Sequence, residues 1–156
     1  MTRPPGPQVP PLFDGGEPLP AAIELEEWSG PVSPAHQFHT RISIEAGPGG
    51  ISLAVEDERG WEEGEFREVR RTKEPMPRDA YEALWCDLLD PDPFALDADL
   101  IGAEGRKMIG VGFNHLSLRL GPRTTRIDYR RRDLSRSKNA AQARLIERVL
   151  RLVPPR

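Results

Sequence analysis

Ile42-Ser43-Ile44-Glu45-Ala46-Gly47-Pro48-Gly49 can be laid on Leu116-Ser117-Leu118-Arg119-Leu120-Gly121-Pro122-Arg123 without a gap. Each stretch alternates apolar and polar residues, the two-residue period of a strand with one buried face, and each runs into Gly-Pro, a turn signal. Alternation then resumes, through Ile51, Leu53 and Val55 in the first and Thr125, Ile127 and Tyr129 in the second. These patterns predict two antiparallel hairpins, over residues 37 to 57 and 110 to 131.

A helical pattern follows each hairpin. Pro77 suits a first helical position, and Asp79 and Glu82 place negative charge near a helix N-terminus. Tyr81, Leu84, Trp85, Leu88 and Leu89 then form one apolar stripe, ending before Asp90-Pro91. In the second case Ser137 is a candidate cap, and Gln142, Leu145, Ile146, Val149, Leu150 and Val153 share a face that Pro154 terminates. The expected helices are 77 to 90 and 138 to 152, with Tyr81, Leu84, Trp85, Leu88, Leu118, Ile127, Leu145 and Val149 in the core.

The expected architecture is α+β: an antiparallel sheet built from two hairpin-then-helix units, with two amphipathic helices packed on one face. Internal duplication and independent reuse of hairpin chemistry both account for the likeness. Extra strands are expected at 23 to 28, where Ile23, Leu25 and Glu27 alternate with Glu24, Glu26 and Trp28, and at 64 to 72. Phe66 and Val69 have opposite parity, so a regular strand at 64 to 72 is expected to need a bulge. Residues 1 to 20, with seven prolines, read as a flexible arm, and 21 to 156 as a single α+β domain. Residues 90 to 112, punctuated by Pro91, Pro93, Gly102, Gly105, Gly110 and Gly112, read as a loop region.

At 156 residues and 37% hydrophobic content, the chain has enough apolar material for one core. Its apolar runs are too short to span a bilayer and its start lacks a signal-peptide pattern, so the expected location is cytoplasmic and no membrane partner is expected. Arg outnumbers Lys 19 to 3, which with the Gly and Pro content points to a GC-rich bacterial source. Cys86 is the only cysteine, so the chain cannot form an intrachain disulfide.

No motif identifies a reaction or a cofactor. Gly110-Val111-Gly112 lacks the third glycine of a dinucleotide loop, and neither a P-loop nor a GxSxG elbow occurs. His39 and His115 fall on the polar sides of their strands, where they could approach across a sheet, but no second strong donor at metal-ligand spacing accompanies them. They and His36 read as surface histidines. Asp90, Asp92, Asp97 and Asp99 are interrupted by proline and lack the glycine and terminal glutamate of a calcium loop. Cys86, beside Trp85 on a helix flank, reads as a partly buried, inert thiol.

What remains is charge. From Gly105 onward the chain has 14 Lys/Arg against 3 Asp/Glu; before it the count is 8 against 22. Strand parity predicts that Arg119, Arg126 and Arg130 project outward, with Arg123 in the turn, Arg131, Arg132 and Arg136 following, and Arg144 and Arg148 on the last helix. Glu56, Asp57, Glu58, Glu62, Glu63, Glu65 and Glu68 form the acidic complement. The expectation is a non-catalytic interaction protein of adaptor, inhibitor or toxin-neutralising type, binding a protein partner through these nine arginines. Self-association through the opposed blocks is compatible with the pattern. The alternative is an accessory nucleic-acid-binding protein using the basic C-terminal region.

Overall fold

The computed structural model describes residues 11–29, 32–103, 107 and 114–155. Strands β1 (Phe13–Asp14) and β2 (Glu17–Pro18) form a small ribbon. They precede β3 (Ala21–Trp28), β4 (Phe38–Gly47), β5 (Gly50–Glu62), β6 (Glu65–Pro75), β7 (Asn114–Leu120) and β8 (Arg123–Tyr129), which make a six-stranded antiparallel sheet in the order β6-β5-β4-β3-β7-β8. Helices α1 (Arg78–Leu88) and α2 (Ala140–Leu150) complete an α+β fold.

The two Gly-Pro stretches turn where their alternation ends, pairing Gly47 with Gly50 and Leu120 with Arg123. Strand β3 lies between the hairpins, so the aligned residues occupy the same levels on either side of it. Ala21 has Ala46 and Leu120 as neighbours, Ile23 has Ile44 and Leu118, and Leu25 has Ile42 and Leu116. These residues are all buried and form one cluster with Tyr81, Leu84, Trp85 and Leu88 of α1 and Leu145, Ile146 and Val149 of α2. The helices thus close the core over one sheet face, while the opposite face carries the polar residues of each alternation.

Several local expectations are corrected. The hairpin placed at 110 to 131 begins at Asn114; residues 110 to 113 lie outside the described residues. Within residues 11 to 20, expected to belong to a flexible arm, Leu12 is buried in the core, Leu19 N–H donates to its carbonyl, and Phe13 packs edge-on to Tyr81 with Arg78 over its ring. Phe13 reaches α1 through Tyr81 and Arg78 while Leu12 joins the core cluster; residues 1 to 10 lie outside the described residues. Ser137 does not cap α2. A 3₁₀ turn, Ser137–Asn139, intervenes, and Asn139 donates to the Asp133 carbonyl instead. Cys86 is exposed, because burying Trp85 turns the next helical position toward solvent.

The two sheet edges differ. Along β8, Asp128 N–H donates to Ala98 O and Asp128 O accepts from Leu100 N–H, so the loop after α1 bridges the end of that edge. Strand β6 pairs only with β5 among the described residues, and none of its residues is buried. Its register with β5 is regular without a bulge, Glu62↔Glu65 through Ser52↔Pro75. The opposite parity of Phe66 and Val69 needs no bulge, since neither face of β6 enters the core. No helix among the described residues is long and apolar enough to cross a membrane.

Candidate protein-interaction surface

The β5–β6 hairpin is closed by Glu63 and Gly64, both with positive φ (51° and 86°), as a type I′ turn requires. Trp61 and Phe66 face each other across it with ring centroids 5.1 Å apart in edge-to-face contact. Strand β4 stops pairing at Phe38↔Arg59, so the tip carrying these rings extends beyond its neighbour. Trp61 is 38% exposed and Val69 46%, while only Val55 and Asp57 of the whole hairpin are buried. Its charges pair across the strands: Glu56 is opposite Arg71 and Arg59 opposite Glu68, and Arg67 reaches Glu62 at 3.0 Å. The acidic cluster after the first hairpin is therefore interleaved with cations of its own hairpin.

Beside the tip lies an aromatic-lined pocket of about 320 Å³ formed by Trp28, Ser29, Gln37, Phe38, Trp61 and Phe66. Trp28, 44% exposed, stacks on His39 with a centroid distance of 3.7 Å. His39 lies between Glu26 and Glu58, 3.6 Å from each, and the Trp28 indole N–H donates to Glu26 at 2.9 Å. Partial burial pushes the Glu26 carboxyl up, but the indole donor and the imidazoles of His39 and His115 outweigh it and hold it below its ordinary value. His39 and His115 flank β3 with Glu24 and Glu26 between them, so they approach the same strand from opposite sides. Among the described residues, no group of three or more His, Cys, Asp or Glu side chains is placed to hold a metal ion.

The nine arginines do not form one surface. Arg119 and Arg126 are exposed on the outer sheet face, Arg126 donating to Asp128 at 3.0 Å. Arg132 and Arg136 are also exposed. Arg130, expected to project outward, is buried: its Nε and Nη2 donate to Asp133, each at 2.9 Å, and its backbone N–H donates to the same carboxylate at 3.0 Å. Strand alternation ends at Tyr129, and the following 3₁₀ turn (Arg131–Ser135) folds Arg130 back onto Asp133. The donors hold the Asp133 carboxyl below its ordinary value despite burial.

The other basic positions are drawn to acidic or carbonyl partners. Arg123 binds Asp92 at 2.7 Å and covers the Phe94 ring, holding the Asp92 carboxyl low. Arg131 bridges Glu147 at 2.8 Å and Glu27 at 3.4 Å. Arg144 donates to the Asp90 carbonyl and Arg148 binds Asp87 at 2.6 Å, fastening α2 to the end of α1. Much of the opposition between the chain's charge blocks is thus met within the molecule.

A polar row at one end of the core face went unread in the sequence. Tyr129, Asn114, Glu27, Thr40 and Asp57 are laterally adjacent across five strands, and all are buried. Tyr129 O–H donates to Glu27 at 2.5 Å, Thr40 donates to Asp57 at 3.1 Å, and Asn114 Oδ1 accepts from Trp28 N–H at 2.8 Å. Burial raises the Glu27 carboxyl above its ordinary value although Tyr129 and Arg131 oppose the shift, and burial with the Glu27 charge drives the Tyr129 hydroxyl far up. The signal was available: Glu27 continues the Ile23-Leu25 parity, and Thr40 and Asp57 continue those of Ile42 and Val55. Paired polar groups in such positions fix strand register.

No protein-family pattern matches the chain, and no curated protein is similar to it.

Proposed function

We propose that the chain is a non-catalytic interaction protein, of adaptor, inhibitor or toxin-neutralising type, that binds a protein partner through a charge-polarised surface centred on the β5–β6 hairpin. The observation that carries this reading is β6: eleven ordered residues, none of them buried. A strand of that length adds nothing to the core; it holds Phe66 beside Trp61 at the hairpin tip and leaves Val69 exposed on the other sheet face. Aromatic anchors within a charged rim are the composition of protein-binding patches. The arginines contribute a peripheral part through Arg119, Arg126, Arg132 and Arg136. Nucleic-acid binding is the weaker reading, because Arg123, Arg131, Arg144 and Arg148 are engaged with groups of the chain itself and their counterions are already displaced.

The test is affinity capture from the native host after nuclease treatment, comparing the unaltered chain with Trp61→Ala/Phe66→Ala and with Arg119→Glu/Arg126→Glu/Arg132→Glu. A protein retained by the unaltered chain and lost with the aromatic pair supports the proposal. Tight binding of random DNA or RNA at physiological salt, abolished by the arginine reversals and with no protein captured, overturns it. That binding would show a log-log salt slope of about −0.9 per phosphate neutralised on duplex DNA.

A further inference from the structure

We infer that β6 is the docking edge for an extended acidic segment of a partner protein, added to the sheet as a seventh strand. The inference rests on the protein-binding reading and specifies its partner chemistry.

Backbone phase comes first. Met76 N–H donates to the Ile51 carbonyl, which fixes which residues of β6 face β5. In an antiparallel ladder, inward-facing backbone groups recur every second residue. Glu68, Arg70, Thr72 and Glu74 therefore bond inward, opposite Arg59, Asp57, Val55 and Leu53. Arg67, Val69, Arg71 and Lys73 turn their N–H and C=O groups away from β5, to an edge that no strand among the described residues covers. Such a row is a template for strand addition.

Side-chain parity then selects the occupant. Val69, Arg71 and Lys73 lie opposite Glu58, Glu56 and Ala54, on the sheet face away from the core. The residues that offer the open backbone thus also present three cations around one apolar side chain, Arg67 and Arg71 being shared with Glu62 at 3.0 Å and Glu58 at 3.9 Å in exchangeable pairs whose guanidinium groups are exposed. Directly opposed cross-strand residues interact most strongly, and like charges there are destabilising. An added strand fits with Asp or Glu against Arg67, Arg71 and Lys73 and an apolar residue against Val69. A second copy of the chain is the poorer occupant of this face. In a two-fold antiparallel pairing with Val69 on Val69, Arg67 meets Arg71, although Glu68 then meets Arg70 and Glu65 meets Lys73; with Val69 on Arg71, Arg67 meets Lys73. An acidic strand matches all three outward cations, whereas the chain's own edge sets at least one pair of like charges against each other in either register.

The probe is an acetylated, amidated peptide, Thr-Glu-Thr-Glu-Thr-Val-Thr-Glu-Thr, which places Glu and Val correctly when antiparallel to β6. Its control has Lys for every Glu. By NMR with the intact chain at physiological salt, the acidic peptide should slow amide exchange at Arg67, Val69, Arg71 and Lys73 and leave the β7–β8 hairpin unchanged. Its affinity should exceed the control's by about tenfold or more, since three opposed pairs change sign. Arg71→Glu/Lys73→Glu should reverse the preference. Val69→Pro, which removes an outward donor without touching the β5 ladder, should abolish binding of both while leaving the remaining amide spectrum intact. Equal binding of the two peptides, or no protection along β6, overturns the inference and leaves the edge cations only as a guard against self-pairing. If capture through Trp61 and Phe66 succeeds while β6 stays unprotected, the docking mode alone fails; if both fail, the protein-binding reading falls with it.

Discussion

Replacing Asp133 by Asn should be among the most damaging conservative substitutions in the chain. Asp133 is 0% exposed and Arg130 is 6% exposed, and the carboxylate accepts the backbone N–H, Nε and Nη2 of Arg130. An amide of the same shape turns one acceptor into a donor facing a guanidinium and removes the carboxylate charge on which three Arg130 donors converge. Breaking a buried pair from one side costs about 3 to 5 kcal/mol, a large fraction of the roughly 5 to 15 kcal/mol that stabilises a domain. Replacing both partners, as Arg130→Met/Asp133→Leu, removes the cation together with its carboxylate and costs chiefly the hydrogen bond of the residue 130 backbone N–H, about 1 to 3 kcal/mol. The double variant should therefore be more stable than Asp133→Asn. Urea unfolding at neutral pH, with slopes compared to verify a two-state transition, measures both. A loss below about 1 kcal/mol for Asp133→Asn, or a double variant as unstable as the sum of the two single changes, would refute the argument.

Glu27→Gln should flatten the dependence of stability on pH. Because burial raises the folded-state value of Glu27 above the ordinary 4.5, its contribution is fully present below 4.5 and is lost as pH rises through the folded value, a loss the glutamine variant lacks. Parallel unfolding-energy curves between pH 4.5 and 7 for the two proteins would contradict this. Leu12→Ala and Leu84→Ala should each cost about 2 to 5 kcal/mol, since both side chains sit in one core at 7% and 0% exposure. Calorimetry that finds the Leu12 variant unchanged would return that segment to the status of a tail.

The parts of this fold that could be read from the sequence are those in which burial imposes a period. Ile42-Ile44-Ala46, Leu116-Leu118-Leu120 and the α1 and α2 stripes each repeat because one face meets the core, and each was placed to within a few residues. Strand β6 was read less clearly for the same reason: with no buried face there is no period to detect, only cross-strand pairing with β5. Leu12 and Phe13 are too few to form a pattern, so their docking beside α1 follows from tertiary proximity alone. Among the site residues, sequence identified the cations but not their neighbours. Arg123, Arg131 and Arg148 find Asp92, Glu147 and Asp87 through chain folding, and Arg130 was misplaced because the strand ends one residue before it.

The bridging of β8 by Ala98 and Leu100 has a consequence for assembly size. A sheet with two open margins can recruit neighbours at both and propagate into a fibre. Here, among the described residues, the β8 margin is interrupted by the bridge at Asp128 while β6 is open along its length, so recruitment through the backbone is directed to one margin. Whatever joins β6 would be held in a one-to-one complex, and raising the concentration of either component would fill that position before lengthening the assembly.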